Sequence, residues 1–273
     1  VNDKTEEISD LNSLRIKLER KNRDIIDSLI YAQRIQEAML PSEDYLKTLF
    51  KDVFLFFKPR DIVSGDFYWV TEKNDKIFLV AADCTGHGVP GALISVIGMD
   101  ILDKAINGNM IDDPSDILEV MDKYLEKTFN TKRYESFIIR DGMDLGLCVI
   151  DRGQKILRYA GAFLSLYLLR NNILTEFKGD KFVLGAKGAG SKYKTHLIPL
   201  EYDDTFYLFS DGYPDQFGGS GNKKFMYRRF RYLITKICRF PMVDQKTILE
   251  DNIKTWMGAY SQVDDMMVIG FRP

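Results

Sequence analysis

The run DLGLCVIDRGQKILRYAGAFLSLYLLRNNILTEFK, residues 144–178, decides the fold class. It carries four short β-rich segments, Asp144 to Ile150, Lys155 to Ala160, Phe163 to Arg170 and Leu174 to Lys178. The groups Asp151-Arg152-Gly153, Gly161-Ala162 and Asn171-Asn172 that separate them are turn chemistry. No helix stands between the segments, so the spacing predicts successive hairpins and antiparallel pairing.

Outward from this run the texture is consistent. Upstream, Val53 to Phe57, Asp66 to Thr71 and Lys76 to Ala82 read as strands, the last two joined by the polar turn Glu72-Lys73-Asn74-Asp75. Two helices follow, one from Pro90 to about Asn107 and one after Asp113-Pro114-Ser115. Downstream, a Gly-rich stretch from Gly185 to Gly190 leads to a strand pair at His196 to Leu200 and Thr205 to Ser210. Helices at Phe225 to Cys238 and Gln245 to Gly258 and a closing strand Met266 to Phe271 complete the order. Strand groups punctuated by helix pairs predict an α+β fold, a four-layer α-β-β-α sandwich of two mainly antiparallel sheets. A Rossmann fold is excluded, because strands and helices do not alternate one by one and no GxGxxG occurs.

Lys4 to Leu40 contains neither Gly nor Pro and is rich in helix formers, and Pro41 ends it. Leu11, Leu18, Ile25, Ala32 and Met39 recur every seven residues, half of a coiled-coil seam. Leu14, Ile26, Ile30 and Ile35 widen the apolar stripe, as expected if the second half also packs on a globular body. The helix reads either as one lying on its own domain or as a dimerising signalling helix. Residues 1–45 are therefore expected to form a linker helix, and residues 46–273 the main domain. The chain begins at Val1 rather than Met, so an upstream sensor domain is expected.

The 273 residues are sufficient for a real core, and 38 Lys and Arg against 40 Asp and Glu leave a net charge of -2. A general nucleic-acid binder would carry excess cations, so that class is excluded. Three dispersed cysteines, Cys84, Cys148 and Cys238, make no CxxC pair and suit a reducing compartment. No apolar run approaches the ~20 residues of a membrane span. The expected setting is cytoplasmic, including the cytoplasmic portion of a membrane-anchored sensor.

Acids gather at strand ends. Asp66 precedes one strand, Asp83 and Asp211 each follow one, and Asp264-Asp265 precede the last. One acid at a strand end is ordinary turn chemistry. Four that converge would repel one another unless a cation neutralised them, and an all-oxygen set favours magnesium or manganese. The small residues in Gly65-Asp66, Asp83-Cys84-Thr85-Gly86-His87-Gly88 and Asp211-Gly212 let backbone approach an ion or phosphate closely. His87 reads either as a loop-bracing hydrogen-bond partner or as a direct participant in substrate binding or proton transfer. His196, inside a strand, reads as structural. Lys58 and Arg60 are weaker candidates for steering a phosphate, or are simply solvent-facing.

The runs Lys58 to Phe67, Ala81 to Ala92, Phe209 to Gly212 and Val263 to Asp265 together resemble the stage II sporulation protein E family. These are bacterial Ser/Thr protein phosphatases of the metal-dependent PPM, or type 2C, superfamily, and the similarity spans about residues 50–271. The segment Tyr31 to Pro41 is likewise similar to the linker joining such domains to upstream sensors. The resemblance implies two Mn²⁺ or Mg²⁺ ions at one edge of the sandwich. Asp83 would bridge them, the Cys84 carbonyl would bind one, and Asp211 and Asp264 would hold the other. Asp66 would act through water or a hydrogen bond, with Asp265, Gly65, Gly86 and Gly212 in support.

The implied reaction is hydrolysis of phosphoserine or phosphothreonine on a regulatory, anti-anti-sigma-like protein by direct attack of a metal-bridging water. No cysteine begins a CxxxxxR phosphate loop, so a cysteine nucleophile is not expected. Type 2C relatives place a histidine two residues after the metal aspartate, whereas His87 is four after Asp83, so the general acid stays unassigned. The alternative is a catalytically weak pseudo-phosphatase acting as a ligand- or partner-binding signalling domain. A homodimer through the N-terminal helix is expected, without nucleic-acid binding or membrane insertion by this segment.

Overall fold

The structure is a computed structural model that describes residues 2–108, 111–129, 142–186 and 192–273, with side chains from Asp10 onward. Helices α1 (Asn2–Met39) and α2 (Glu43–Leu49) precede strands β1 (Asp52–Lys58), β2 (Phe67–Lys73) and β3 (Lys76–Cys84). Helix α3 (Gly88–Asp103), a π-turn over Lys104–Gly108 and α4 (Pro114–Phe129) follow. Next come β4 (Met143–Asp151), β5 (Ile156–Ala162), β6 (Ser165–Arg170), β7 (Ile173–Lys178), β8 (His196–Pro199) and β9 (Thr205–Phe209). A short helix α5 (Gly212–Asp215) and the ribbon β10 (Phe217–Gly218) and β11 (Lys223–Lys224) lead to α6 (Tyr227–Ile237), α7 (Met242–Met257) and β12 (Met266–Arg272).

Two antiparallel five-stranded sheets stack face to face, one ordered β1-β12-β9-β6-β7 and the other β2-β3-β4-β5-β8. Their inner strands are apolar on both faces, as strands in the middle layers of a four-layer sandwich must be, while the edge strands β7 and β8 are partly exposed. In β3, Ile77, Leu79 and Ala81 enter the core between the sheets while Phe78, Val80 and Ala82 face α3 and α4. Ile94, Leu102, Ile117, Leu118 and Met121 cover that outer face. On the opposite side Phe54, Phe56, Tyr207 and Phe209 meet Phe230, Ile234, Leu249 and Ile253 from α6 and α7. Three parallel cores therefore separate the four layers, as the sequence predicts.

The connectivity differs from the hairpin reading at two places. β5 and β6 do not pair: β5 lies between β4 and β8, and β6 lies in the other sheet beside β9 and β7. The chain changes sheets at Gly161 to Leu164, where Phe163 takes φ +59° and Leu164 O accepts from Tyr159 Oη at 2.6 Å. A turn-like dipeptide signals a reversal without saying into which sheet. For the same reason the expected pair at 196–210 is split, β8 joining β5 and β9 joining β12 and β6.

α1 also departs from expectation. Ile26, Ile30 and Ile35 stay exposed, and the body is met instead by Leu29, Gln33, Gln36 and Leu40, one helical face. That face holds amides because its main partner is backbone: buried Gln36 bonds to both Ser64 backbone groups. No helix among the described residues is long and apolar enough to cross a membrane.

Candidate active site

Antiparallel neighbours bring the start of one strand beside the end of the next, and this rule assembles the site. The register Phe67↔Ala82 puts Asp66 beside Asp83, and Asp83 is itself paired with Asp144 of β4. In the other sheet, Ser210 N donates to Met267 O and Met267 N donates to Ser210 Oγ, both at 3.1 Å. That exchange holds Asp211 next to Asp264 and Asp265. Both sheets thus deliver acids to one edge, where Asp83, Asp144, Asp211 and Asp264 line a cavity of about 280 Å³ with Cys84, Thr85, Gly86, His87 and Val183. Asp66, beside Asp83 in the register, is 2% exposed.

Close backbone approach makes the convergence possible. A Cβ on Gly212 would stand 1.9 Å from Asp265 O, and one on Gly65 would stand 2.7 Å from Gly86 O. Only glycine lets these loops touch. Buried Asp265 accepts from Arg60 N and Gly65 N, each at 2.7 Å, and so ties residues 60–65 to the start of β12.

The electrostatics are those of crowded, buried carboxyls. Burial first and Asp83 second hold Asp66 well above the usual carboxylate range, and burial followed by Asp211 does the same to Asp83. Burial and then Asp211 push Asp144 up to about 7, and burial with Asp215 and Asp264 pushes Asp211 up to about 6. Burial also raises Asp264, against the backbone N–H of Asp265 that accompanies its carboxylate.

Among the described residues, no three His, Cys, Asp or Glu side chains already stand as a closed cage around one point. The acids crowd and repel one another, Asp83 acting on Asp66 and Asp211 on Asp83. Their chemistry fits a hard divalent cation all the same. The side-chain donors are oxygens, and Asp66 Oδ2 is buried without a hydrogen-bond partner. A cation here would relieve the repulsion that raises the acids.

The weaker candidates separate. His87 lines the cavity and its Nδ1 lies 3.0 Å from Asp61 Oδ2, while Gly86 beside it takes φ +85°. Arg60 points along the loop, its Nη1 donating to Val263 O at 3.0 Å, and exposed Lys58 lends its carbonyl to Gln262 Nε2 at 2.8 Å. Neither lines the cavity. His196 packs on Tyr159 and contacts Lys178 O at 3.1 Å, as a structural residue does. Sequence reasoning missed Asp144, Asp61 and Gln36. Asp144 was hidden because two helices separate β3 from β4, so only the finished register pairs it with Asp83.

The model of the family described as Stage II sporulation protein E matches residues 73–273. The SiaA-PP2C domain of Pseudomonas aeruginosa superposes with a TM-score of 0.84 at 34% identity, over 92% of this chain and 98% of that one. The PP2C phosphatase domain and regulatory fragment of SpoIIE from Bacillus subtilis gives 0.63 at 16% identity, over 81% and 63%. The RsbU and RsbW domains of a Mycobacterium tuberculosis protein give 0.63 at 16%, over 81% and 59%. Comparison with curated protein sequences finds no match.

Proposed function

Because the chain belongs to the stage II sporulation protein E family of PP2C-type phosphatases, we propose that it hydrolyses phosphoserine or phosphothreonine on a regulatory protein. One observation carries this reading: both sheets bring their acids to a single cavity, and Asp66, next to Asp83 in the register, keeps a buried and unpartnered oxygen. Asp83, Asp211 and Asp264, together with the Cys84 carbonyl, would hold two Mn²⁺ or Mg²⁺ ions. When bound, these ions would supply an acidified water for in-line attack on phosphorus and would neutralise phosphoryl charge.

The chain's own residues do the positioning. Buried Asp66 stands beside Asp83 in the β2–β3 register. Asp265 fixes the 60–65 loop through two backbone N–H groups. The Asp61–His87 contact steadies the turn that forms one wall of the cavity, which favours the bracing role for His87. No cysteine nucleophile is needed, and burial raises the Cys84 thiol well above its ordinary range.

Residues 1–45 serve in this reading as a signalling linker, and 46–273 as the catalytic body. The exposed row Leu11, Leu18 and Ile25 on α1 suits a second copy of the same helix. The decisive assay is turnover of a phosphoserine peptide and of p-nitrophenyl phosphate by the full chain with Mn²⁺ or Mg²⁺. Activity lost in Asp83→Asn supports the reading. Inactivity with both ions, combined with metal binding that Asp83→Asn leaves unchanged, overturns it.

A further inference from the structure

Between Gln216 and Val243 the sequence places seven Lys and Arg and no Asp or Glu, in a chain whose net charge is -2. At the centre of this run lies α6. Its apolar side, Phe230, Ile234 and Ile237, is buried against Tyr167, Phe209 and Tyr213. Its outer side carries Arg228, Tyr232 and Lys236 at spacings of four, which stack them along one helical face, and Arg239 follows in the turn just past the helix end. All four are exposed, Tyr232 at 67%. Lys236 Nζ sits over the Tyr232 ring, 5.4 Å from its centroid, and Arg239 Nε donates to Asn172 Oδ1 at 2.6 Å. None of the three cations pairs with a carboxylate among the described residues, although Arg231 and Lys224 nearby do, with Glu176 and Asp215.

The stripe begins near the acid cavity. Lys224 Nζ pairs at 2.6 Å with Asp215, four residues after Asp211, and the ring of Tyr227, first residue of α6, packs 6.4 Å from that of Phe209, which ends the strand leading to Asp211. From there the helix extends roughly 16 Å away from the site. We propose that this face of α6 is the docking surface for an acidic protein, and that the protein so held is the phosphorylated substrate. The inference rests on the phosphatase reading above for the identity of the reacting group. Charge complementarity selects the occupant: the cavity itself is lined with acids and offers a phosphoprotein no attraction before ions bind, whereas the adjoining stripe supplies steering and register. A lipid surface fits less well, because the apolar residues of α6 are already spent in the core and cannot enter a bilayer.

The test uses the full chain and the double variant Arg228→Glu/Lys236→Glu, with the Gln pair as a milder second variant. Two fluorescent phosphoserine peptides of equal length serve as probes, one flanked by Asp and Glu, the other by Ser and Gly. For the acidic peptide kcat/KM should fall roughly tenfold in the Glu variant, through KM, with a smaller fall in the Gln variant. The preference for the acidic peptide in the parent chain should shrink as salt rises. Hydrolysis of the neutral peptide and of p-nitrophenyl phosphate should stay as in the parent. Equal kinetics on both peptides in parent and variants overturns the proposal, as does variant-sensitive binding to phosphatidylserine vesicles with no peptide preference. If no phosphate substrate is turned over with either ion and Asp83→Asn also leaves metal binding unchanged, the phosphatase reading falls instead. Anisotropy of the acidic peptide then decides the docking surface alone, loss of binding in the variant upholding it and unchanged binding refuting it.

Discussion

Gln36 and Ser64 exchange two hydrogen bonds, Gln36 Nε2 donating to Ser64 O at 2.6 Å and Ser64 N donating to Gln36 Oε1 at 3.0 Å. The same Nε2 reaches Ser95 Oγ of α3 at 2.8 Å. One buried amide therefore joins α1, α3 and the loop that leads through Gly65 into Asp66. Gln36→Ala should cost about 2 kcal/mol, because it leaves buried backbone groups of Ser64 unpaired. Calorimetric titration with Mn²⁺ should also show weaker binding, since the loop beneath Asp66 loses its outer tether. A variant with unchanged melting temperature and unchanged Mn²⁺ affinity would contradict this.

Asp83 stands beside Asp66 in the register and shares the cavity with Asp211, so its replacement is not local. Asp83→Asn should abolish phosphatase turnover and remove most of the heat of Mn²⁺ binding. It should not unfold the metal-free chain, since a neutral amide in place of a carboxyl held well above its usual range removes repulsion. Thermal melting without metal should show equal or higher stability.

The metal-free chain should lose stability as pH rises. Asp144, pushed up to about 7, and Asp211, pushed up to about 6, bind protons in the folded state that the unfolded chain releases near pH 4. The unfolded chain then holds fewer protons, so this contribution is full below about pH 4 and is lost between there and about pH 7. Asp144→Asn should flatten that decline and raise stability at pH 8 by on the order of 2 kcal/mol, with allowance for the water that reaches its side chain. Saturating Mg²⁺ should reverse the pH trend in the parent chain. Urea unfolding at several pH values measures both.

Away from the site, Arg170 grips Asp204 through Nε and Nη2, each at 2.7 Å, and the Asp204 side chain is fully buried. Asp204→Ala should cost about 2 kcal/mol by removing two charge-assisted hydrogen bonds and the acceptor of Glu201 N, while Arg170 keeps Glu201 and Pro199 O. Metal affinity should be unaffected, which separates a fold defect from a site defect.

The exposed heptad row on α1 makes a prediction of its own. Sedimentation of the full chain should show association that rises with concentration, and Leu18→Glu combined with Ile25→Glu should abolish it. Both side chains are 58% exposed, so the fold of one copy should survive the change. Identical behaviour of parent and variant would refute a helix-driven dimer.

Most strands were legible because their runs are apolar on both faces and closed by turn residues, as in Ile77 to Ala82. The four aspartates were legible as strand-end acids beside small residues. Asp144 was not, because it looks like any residue opening a strand until β4 is laid against β3. Gln36 was equally hidden, since on a helix of Glu, Lys and Gln its type carries no signal. The contact face of α1 was misjudged for a related reason: apolar Ile26, Ile30 and Ile35 drew attention away from a face whose partner is backbone.

By itself the sequence determined the local states and the chemical inventory: which segments are strands, where helices stop, and that oxygen donors stand at strand ends. Those properties depend on periodicity, propensity and turn chemistry within a few residues. The tertiary structure alone decided which sheet each strand enters, and so which acids meet. The turn chemistry at Gly161 to Leu164 is the same whichever sheet receives β6, and the pairing of β6 with β9 and β7 puts it in the other sheet from β5. That change leaves β9 beside β12, with Asp211 and Asp264 facing Asp83 across the edge.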